Sequence, residues 1–298
     1  MFRSGEEFQY DQCATCGSIQ VAEILPNDEL GKYYPSDYYS LGAQQSKKKG
    51  IKGAVKTYLT AERDRGVFGK SLAGQLIATL KPERTPVWVI HKAGVRQDQE
   101  ILDVGCGMGV FLDRLARLGF RNLSGADPFL NADSVSGEGV PLRKRHLADV
   151  DGSFDVITFN HSFEHVPDPQ ADLRTAREKL SPNGLCLIQM PTPSSEAWEE
   201  YGADWAQWDA PRHLTLMTRK GVSLLAANCG FELREIIDIG DRWSLMSSEL
   251  NRRGILIGWG GQYSRHFTRR EMAAFRRKAF SANAAGRGDS ISCVLVKR

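Results

Sequence analysis

Residues 101–109 read Ile101-Leu102-Asp103-Val104-Gly105-Cys106-Gly107-Met108-Gly109. Apolar residues ending on an acid read as the carboxyl end of a buried strand. The three alternating glycines then read as a tight turn. Val110, Phe111, Leu115 and Leu118 follow at helical spacing, and Gly119 supplies the stop. Strand, glycine turn, helix is the unit by which an α/β sheet presents a ligand to the carboxyl ends of its strands.

The alternation continues outward from this unit. A second strand, Leu123 to Ala126, ends at Asp127, and a short one near Val140 to Leu142 precedes Asp149. Phe154 to Asn160 is a fourth strand. A helix from Asp168 to Leu180 is stopped by Ser181-Pro182-Asn183-Gly184, and a strand from Leu185 to Met190 ends at Pro191. Thr218 caps a helix that stops at Gly230. Phe231 to Ile239 and Ser290 to Val296 are the last strands, interrupted by a basic, partly helical insertion at 241–288. Alternating elements with short turns predict a mostly parallel α/β sheet with helices on both faces.

The glycine spacing decides between ligands. A dinucleotide fingerprint would read G-x-G-x-x-G. Here it is G-x-G-x-G, with Asp103 two residues ahead of the first glycine. That pattern resembles the first motif of class I S-adenosylmethionine-dependent methyltransferases. The resemblance implies a Rossmann-like, seven-stranded sheet whose last strand is inserted antiparallel. It implies a cofactor, S-adenosylmethionine, held by Asp103, Gly105, Gly107 and Gly109, the acid lying near its ammonium group. Asp127, 24 residues after Asp103, is placed to accept the ribose hydroxyls. Pro128 and Phe129 line the adenine in this reading, and Asp149 and Asn160 complete the cofactor set.

Two further stretches carry chemistry. Asn160-His161-Ser162-Phe163-Glu164-His165 follows the fourth strand. It resembles the corresponding loop of ubiquinone-type and polysaccharide-cluster methyltransferases. His161 or His165 there reads as a general base needing a pKa near neutrality. The same residues with Glu164 also read as a divalent-metal set, or as hydrogen-bonded loop structure. Structure is the reading taken for Glu164 and His165, with His165 also kept among the substrate-side residues, and His161 reads as catalytic or substrate-lining. The second stretch holds Trp198, Trp205, Trp208, Asp209, Pro211, Arg212 and His213. Tryptophan faces suit sugar rings or flat aromatics. Arg212 reads as a clamp for phosphate or carboxylate, and His213 as the other candidate base. The plain alternative is a lid packed on the sheet edge. The expected reaction is O-methylation of a sugar-containing or small-molecule hydroxyl. C- or N-methylation, or cofactor binding without catalysis, is the alternative.

Ahead of this domain (98–298) lie two segments. Residues 1–45 contain Cys13-x-x-Cys16-Gly17, a knuckle able to supply half a tetrahedral zinc site. It resembles the second half of a zinc-ribbon-like module whose earlier cysteine pair this chain begins too late to contain. Cys13 and Cys16 are thus a half-site, and no zinc is expected from this chain alone. The tyrosine-rich Tyr33 to Tyr39 stretch is expected to pack on the main domain. Residues 46–97 form a basic helical connector with twelve Lys or Arg against three acids, and 251–288 carry nine against Glu271 alone. Those segments read as solvated faces or as a surface for an anionic acceptor or partner. Nucleic acid is not expected, because no aromatics interleave the charges. With 41% hydrophobic residues, 25% charged and net charge +3, the chain has an ordinary globular composition. The absence of a long apolar run excludes a membrane-spanning helix, and scattered cysteines point to the cytoplasm. Oligomeric state is not legible.

Overall fold

The structure, a computed structural model, describes residues 6–33, 51–80, 83–255 and 262–298. The remainder of the tyrosine-rich stretch beyond Tyr33 and the Lys47-Lys48-Lys49 run lie outside the described residues. The chain begins with strands β1 (Tyr10–Gln12) and β2 (Ile19–Val21), joined by the cysteine knuckle. Helix α1 (Asn27–Leu30) follows, and the connector then supplies α2 (Ile51–Val67), α3 (Leu72–Leu80) and α4 (Pro86–Lys92). Thr85 caps α4 by accepting from Trp88 N–H, and Pro86 takes the first-turn position, where a missing N–H costs nothing.

The motif strand β3 (Ile101–Val104) opens the main sheet, followed by α5 (Val110–Arg117), β4 (Leu123–Ala126), β5 (Ser134–Val135) and β6 (Pro141–Arg143). Next come β7 (Phe154–Asn160), α6 (Pro169–Lys179), β8 (Leu180–Pro191) and α7 (Glu196–Tyr201). The chain closes through β9 (Thr215–Leu216), α8 (Arg219–Asn228), β10 (Phe231–Asp238), α9 (Arg242–Arg252), α10 (Arg269–Ala284) and β11 (Ser290–Lys297).

Eight strands form the sheet in the order β10-β11-β8-β7-β3-β4-β6-β5. Strands β8, β7, β3, β4 and β6 run parallel, while β11 lies antiparallel between β8 and β10. The expected seven strands are present with the expected inserted last strand. The eighth, two-residue β5, pairs antiparallel with β6 at the edge. Its length hid it, since no pattern of alternation is readable over two residues. Strand alternation divides the core. Leu102 and Ile157 join one buried cluster and their neighbours Ile101 and Val156 the other, so each strand feeds both faces.

The Ser181–Gly184 stretch differs from expectation. It stops α6, but it lies within β8 rather than before it. The register jumps from Phe154↔Leu180 to Val156↔Leu185, so these residues form a bulge between two paired positions.

The connector packs as a helical hairpin. A Cβ at Gly74 would lie 1.9 Å from Glu62 O, and one at Gly66 would lie 2.0 Å from the Gly74 carbonyl carbon. Only glycines allow the two backbones to approach so closely. Gly74→Ala should therefore lower stability by about 1–3 kcal/mol through overpacking, measured by urea denaturation, while the sheet's near-ultraviolet signal is retained.

Candidate active site

Asp103 sits at the carboxyl edge of β3 and is 2% exposed. Its Oδ1 accepts from Thr158 Oγ1 at 2.6 Å and from Asn160 Nδ2 at 2.7 Å. Burial raises its pKa to about 7 despite those two donors, and the nearby Asp127 adds to the rise. A buried carboxylate answered by neutral groups is suited to receive an ammonium. Asp127, also buried, accepts from Gly107 N–H through Oδ2 and from Phe129 N–H through Oδ1, both at 2.9 Å. It thereby pins the glycine turn to the end of β4.

Gly105 adopts φ +74°, and a Cβ there would fall 2.4 Å from Ser162 Cβ. Ser162 itself donates to Val104 O at 2.6 Å. The turn after β3 and the loop after β7 thus meet where one of them can carry no side chain. Phe129, 55% exposed, presents its ring beside Asp127, with Pro128 half-buried. Asp149 ends a single 3-10 turn, Leu147–Asp149, and is exposed. Two buried acids, a turn without space for a Cβ and an exposed ring fit a cofactor with an ammonium group, a ribose and an adenine.

Beyond Asn160 the chain turns through His161 at φ 53°. The side chain of His161 is 40% exposed, and its Nδ1 lies 3.6 Å from Glu164 Oε1. Burial pulls the His161 pKa down, but Glu164, with Asp241 and Asp289 farther away, more than reverses this and holds it above its ordinary value. Glu164 is fully buried. Burial would raise its pKa, but the three histidines around it, His161, His165 and His213, hold it down to about 2. It is the common anchor of the two sequence stretches.

The 198–213 stretch lies differently from the expected acceptor wall. Trp205 and Arg212 are each 1% exposed. Trp198 meets Trp205 edge-on and Trp208 at a tilt, and Trp208 meets the Tyr10 ring at 4.9 Å. The tryptophans form a packed lid that receives β1, while β2 pairs with β9 to make a second, three-stranded sheet. Arg212 pairs with Asp209 inside the protein rather than reaching outward. His213 is buried as well. Its Nδ1–H donates to Gln207 O at 2.8 Å, and burial drives its pKa down to about 4, against the opposing pull of Asp209. His165 donates from Nδ1 to Arg212 O at 2.8 Å and packs edge-on against the His213 ring. The structure therefore places Trp205, Arg212 and His213 inside the protein rather than on an open acceptor wall. A tryptophan-rich loop carries no mark separating packed rings from open ones. Cys13 and Cys16 stay a pair, with Cys16 Sγ facing Ser18 Oγ at 3.2 Å. The one grouping of three ligand types among the described residues is Glu164, His165 and His213.

Several residues at this edge were not singled out from sequence. Thr158 was findable, because it shares a strand face with Asn160 and pairs with Asp103 across the sheet. Asp241 and Asp289 were not. Asp289 accepts from Ser244 Oγ and from Trp205 Nε1, joining the insertion to the lid.

Residues 74–236, more than half the chain, match the family described as a methyltransferase domain. The chain belongs to the S-adenosylmethionine-dependent methyltransferases. Among curated relatives it is similar to a ubiquinone biosynthesis O-methyltransferase of Psychrobacter arcticus, 29% identical over 162 residues, covering 47% of this chain and 62% of that protein. One of the same name from Parvibaculum lavamentivorans is 30% identical over 169 residues, covering 50% and 67%. The chain spans about half to two thirds of the length of the curated relatives it matches. Among solved structures, an S-adenosylmethionine-dependent methyltransferase from Mesorhizobium loti aligns with a TM-score of 0.42 at 15% identity, covering 70% of this chain and 97% of that one.

The Asp103 environment has a pH signature. Its pKa is raised on folding from 3.8 to about 7, so the folded state holds a proton that the unfolded state has lost. This contribution is fully present below the unfolded value and is lost as pH rises through the folded one. The cofactor-free protein should thus become less stable between these limits. Asp103→Asn should flatten that slope in denaturant titrations and weaken S-adenosylmethionine binding by calorimetry.

Proposed function

We propose that this methyltransferase transfers a methyl group to a hydroxyl of a small-molecule or sugar-containing acceptor, with His161 as the general base. The observation that carries this reading is the setting of His161. It is the histidine at the carboxyl edge that combines solvent access with a buried carboxylate partner, 3.6 Å away. The curated relatives, named as O-methyltransferases, support the choice of oxygen.

The bound cofactor supplies a methyl group already activated on a sulfonium, so the chain has to align the acceptor and exclude water. In this reading Asp103, Asn160 and the glycine turn orient the donor, with Asp127, Pro128, Phe129 and Asp149 toward its nucleoside. His161 takes the hydroxyl proton, and Glu164 positions the ring and stabilises the imidazolium that forms. His213 and His165 brace Glu164 from the buried side. The acceptor platform is Trp243, whose ring is 40% exposed and lies 5.0 Å from that of Tyr263. Trp243 follows Asp241, which is close enough to His161 for each to feel the other's charge. The Arg242 guanidinium lies over the Trp243 ring, 4.5 Å from its centroid, so the platform is an aromatic ring with a cationic cover, a setting for a polar or anionic acceptor ring.

A second reading rests on the carboxylates Asp241 and Asp289, which would hold an amine acceptor as well as they raise the His161 pKa. N-methylation would then need no histidine base.

The two readings separate on one measurement. With a hydroxyl acceptor, kcat should rise with pH through a midpoint above the ordinary histidine value of 6.5, because the base must be neutral. His161→Ala should lower kcat by about 10²–10⁴-fold with cofactor binding retained. Full activity in His161→Ala would remove the base and favour the amine acceptor. His213→Ala should instead lower thermal stability, since the residue it removes is buried and hydrogen-bonded.

A further inference from the structure

Helix α10 lies in the insertion between β10 and β11, and its inner side is committed to the fold. Phe275 and Ala279 join the cluster that holds Trp205, and Lys278 pairs with Glu200. The one acid of the helix, Glu271, is turned back on Thr268 in a capping box, accepting from its N–H and its Oγ1 at 2.7 Å each.

The outer side is built differently. Arg269, Arg270, Ala273, Arg276 and Arg277 are exposed, and Phe280 is 54% exposed. Residues seven apart on a helix fall on nearly the same line. Ala273 and Phe280 make the central line. Arg269 and Arg276 run along one flank of it, and Arg270 and Arg277 along the other. The acids of α7 and α9 are taken by other cations: Glu249 by Arg252 and Arg253, Glu200 by Lys278, and Glu196 and Glu199 by Arg287. Among the described residues no carboxylate answers any of the four flanking guanidinium groups.

That pattern selects its occupant. A second copy of the helix would set arginine against arginine. An interfacial membrane helix needs a broad apolar face, whereas here one large apolar side chain stands among four charges. An extended polyanion answers the charge but not the seven-residue repeat, about 10.5 Å along the axis. An acidic helix answers both, because its own side chains repeat at the same interval. Its seam would meet Ala273 and Phe280, and carboxylates on either side would meet the two arginine rows, as at the flanking positions of a coiled coil. Guanidinium and carboxylate then pair through two parallel hydrogen bonds. We infer that the outer face of α10 is a docking surface for an acidic α-helix of a partner protein, anchored by Phe280 and held on both sides by the four arginines. This assignment is independent of the acceptor and of the base.

The test is fluorescence anisotropy of the full chain with a labelled synthetic helix of about four heptads, carrying alanine and leucine along its seam and glutamate on both flanks. The comparison probes are the same helix with lysine for glutamate, random-coil polyglutamate, duplex DNA and phosphatidylglycerol vesicles. The glutamate helix should bind at least about tenfold more tightly than any of these and be released at about 0.5 M salt. Phe280→Ala should weaken it at least about tenfold, with circular dichroism and S-adenosylmethionine binding unchanged. The double variant Arg276→Glu/Arg277→Glu should reverse the preference toward the lysine helix. Wild-type protein that ignores the glutamate helix, or variants that bind it equally well, would overturn the proposal. So would polyglutamate, DNA or vesicles binding as tightly as the helix, which would assign the face to anions without regard to the repeat.

Discussion

The rest of the site depends on one buried carboxylate. Asp103 has left water at the centre of the sheet, where the hydroxyl of Thr158 and the amide of Asn160 answer it. Those donors come from β7, the strand beside it in the parallel register. The same pair of strands sends out the glycine turn on one side and the His161 loop on the other. Ser162, bonded back to Val104 O, ties the two loops together. Donor and acceptor sides of the reaction are thus fixed relative to each other by contacts a few residues from a single charge. Moving β7 by one residue would expose that charge and separate the loops.

A second carboxylate organises the outer half. Glu164 lies among three histidines, and the partition of their environments follows from which of them reaches solvent. His213, sealed under the lid, is held neutral. His161, at the surface end, is pushed the other way by Glu164 and the acids of the insertion. One carboxylate in contact with histidines of unequal burial therefore gives them different protonation behaviour at the same pH.

Much of this was legible in the chain because the signals are short-range. The strand ends at Asp103, Asp127 and Asn160, the cap at Thr218 and the stop at Gly230 all appear where local pattern puts them. The inserted antiparallel strand came from resemblance, not from periodicity, and the structure contains it. What was not legible depends on packing at long sequence separation. Nothing local distinguishes Trp205, which packs beneath Asp289, from Trp243, which stays partly open. Arg212 reads from sequence as a clamp for an anion, yet Asp209, three residues earlier, pairs with it inside the protein. The bulge at Ser181–Gly184 was read as a strand boundary because proline and glycine mark turns and bulges alike.

The pairing of β2 with β9 places residues 19–20 against residues 215–216. Tyr10 Oη donates to His213 O, and Ser18 Oγ accepts from Thr218 N–H, both across about 200 residues. During synthesis, therefore, the β1–β2 hairpin has no surface to dock on until the chain has been extended past residue 218. The cysteine knuckle therefore stays undocked from Thr218 while the about 200 intervening residues are made. Docking of β1 and β2 on the lid is thus coupled to the arrival of β9, which precedes β10 and β11, the strands that complete the main sheet. The cofactor half of the site is built from contacts within residues 103–160, whereas the histidine half is completed only when residues 10–20 meet residues 213–218.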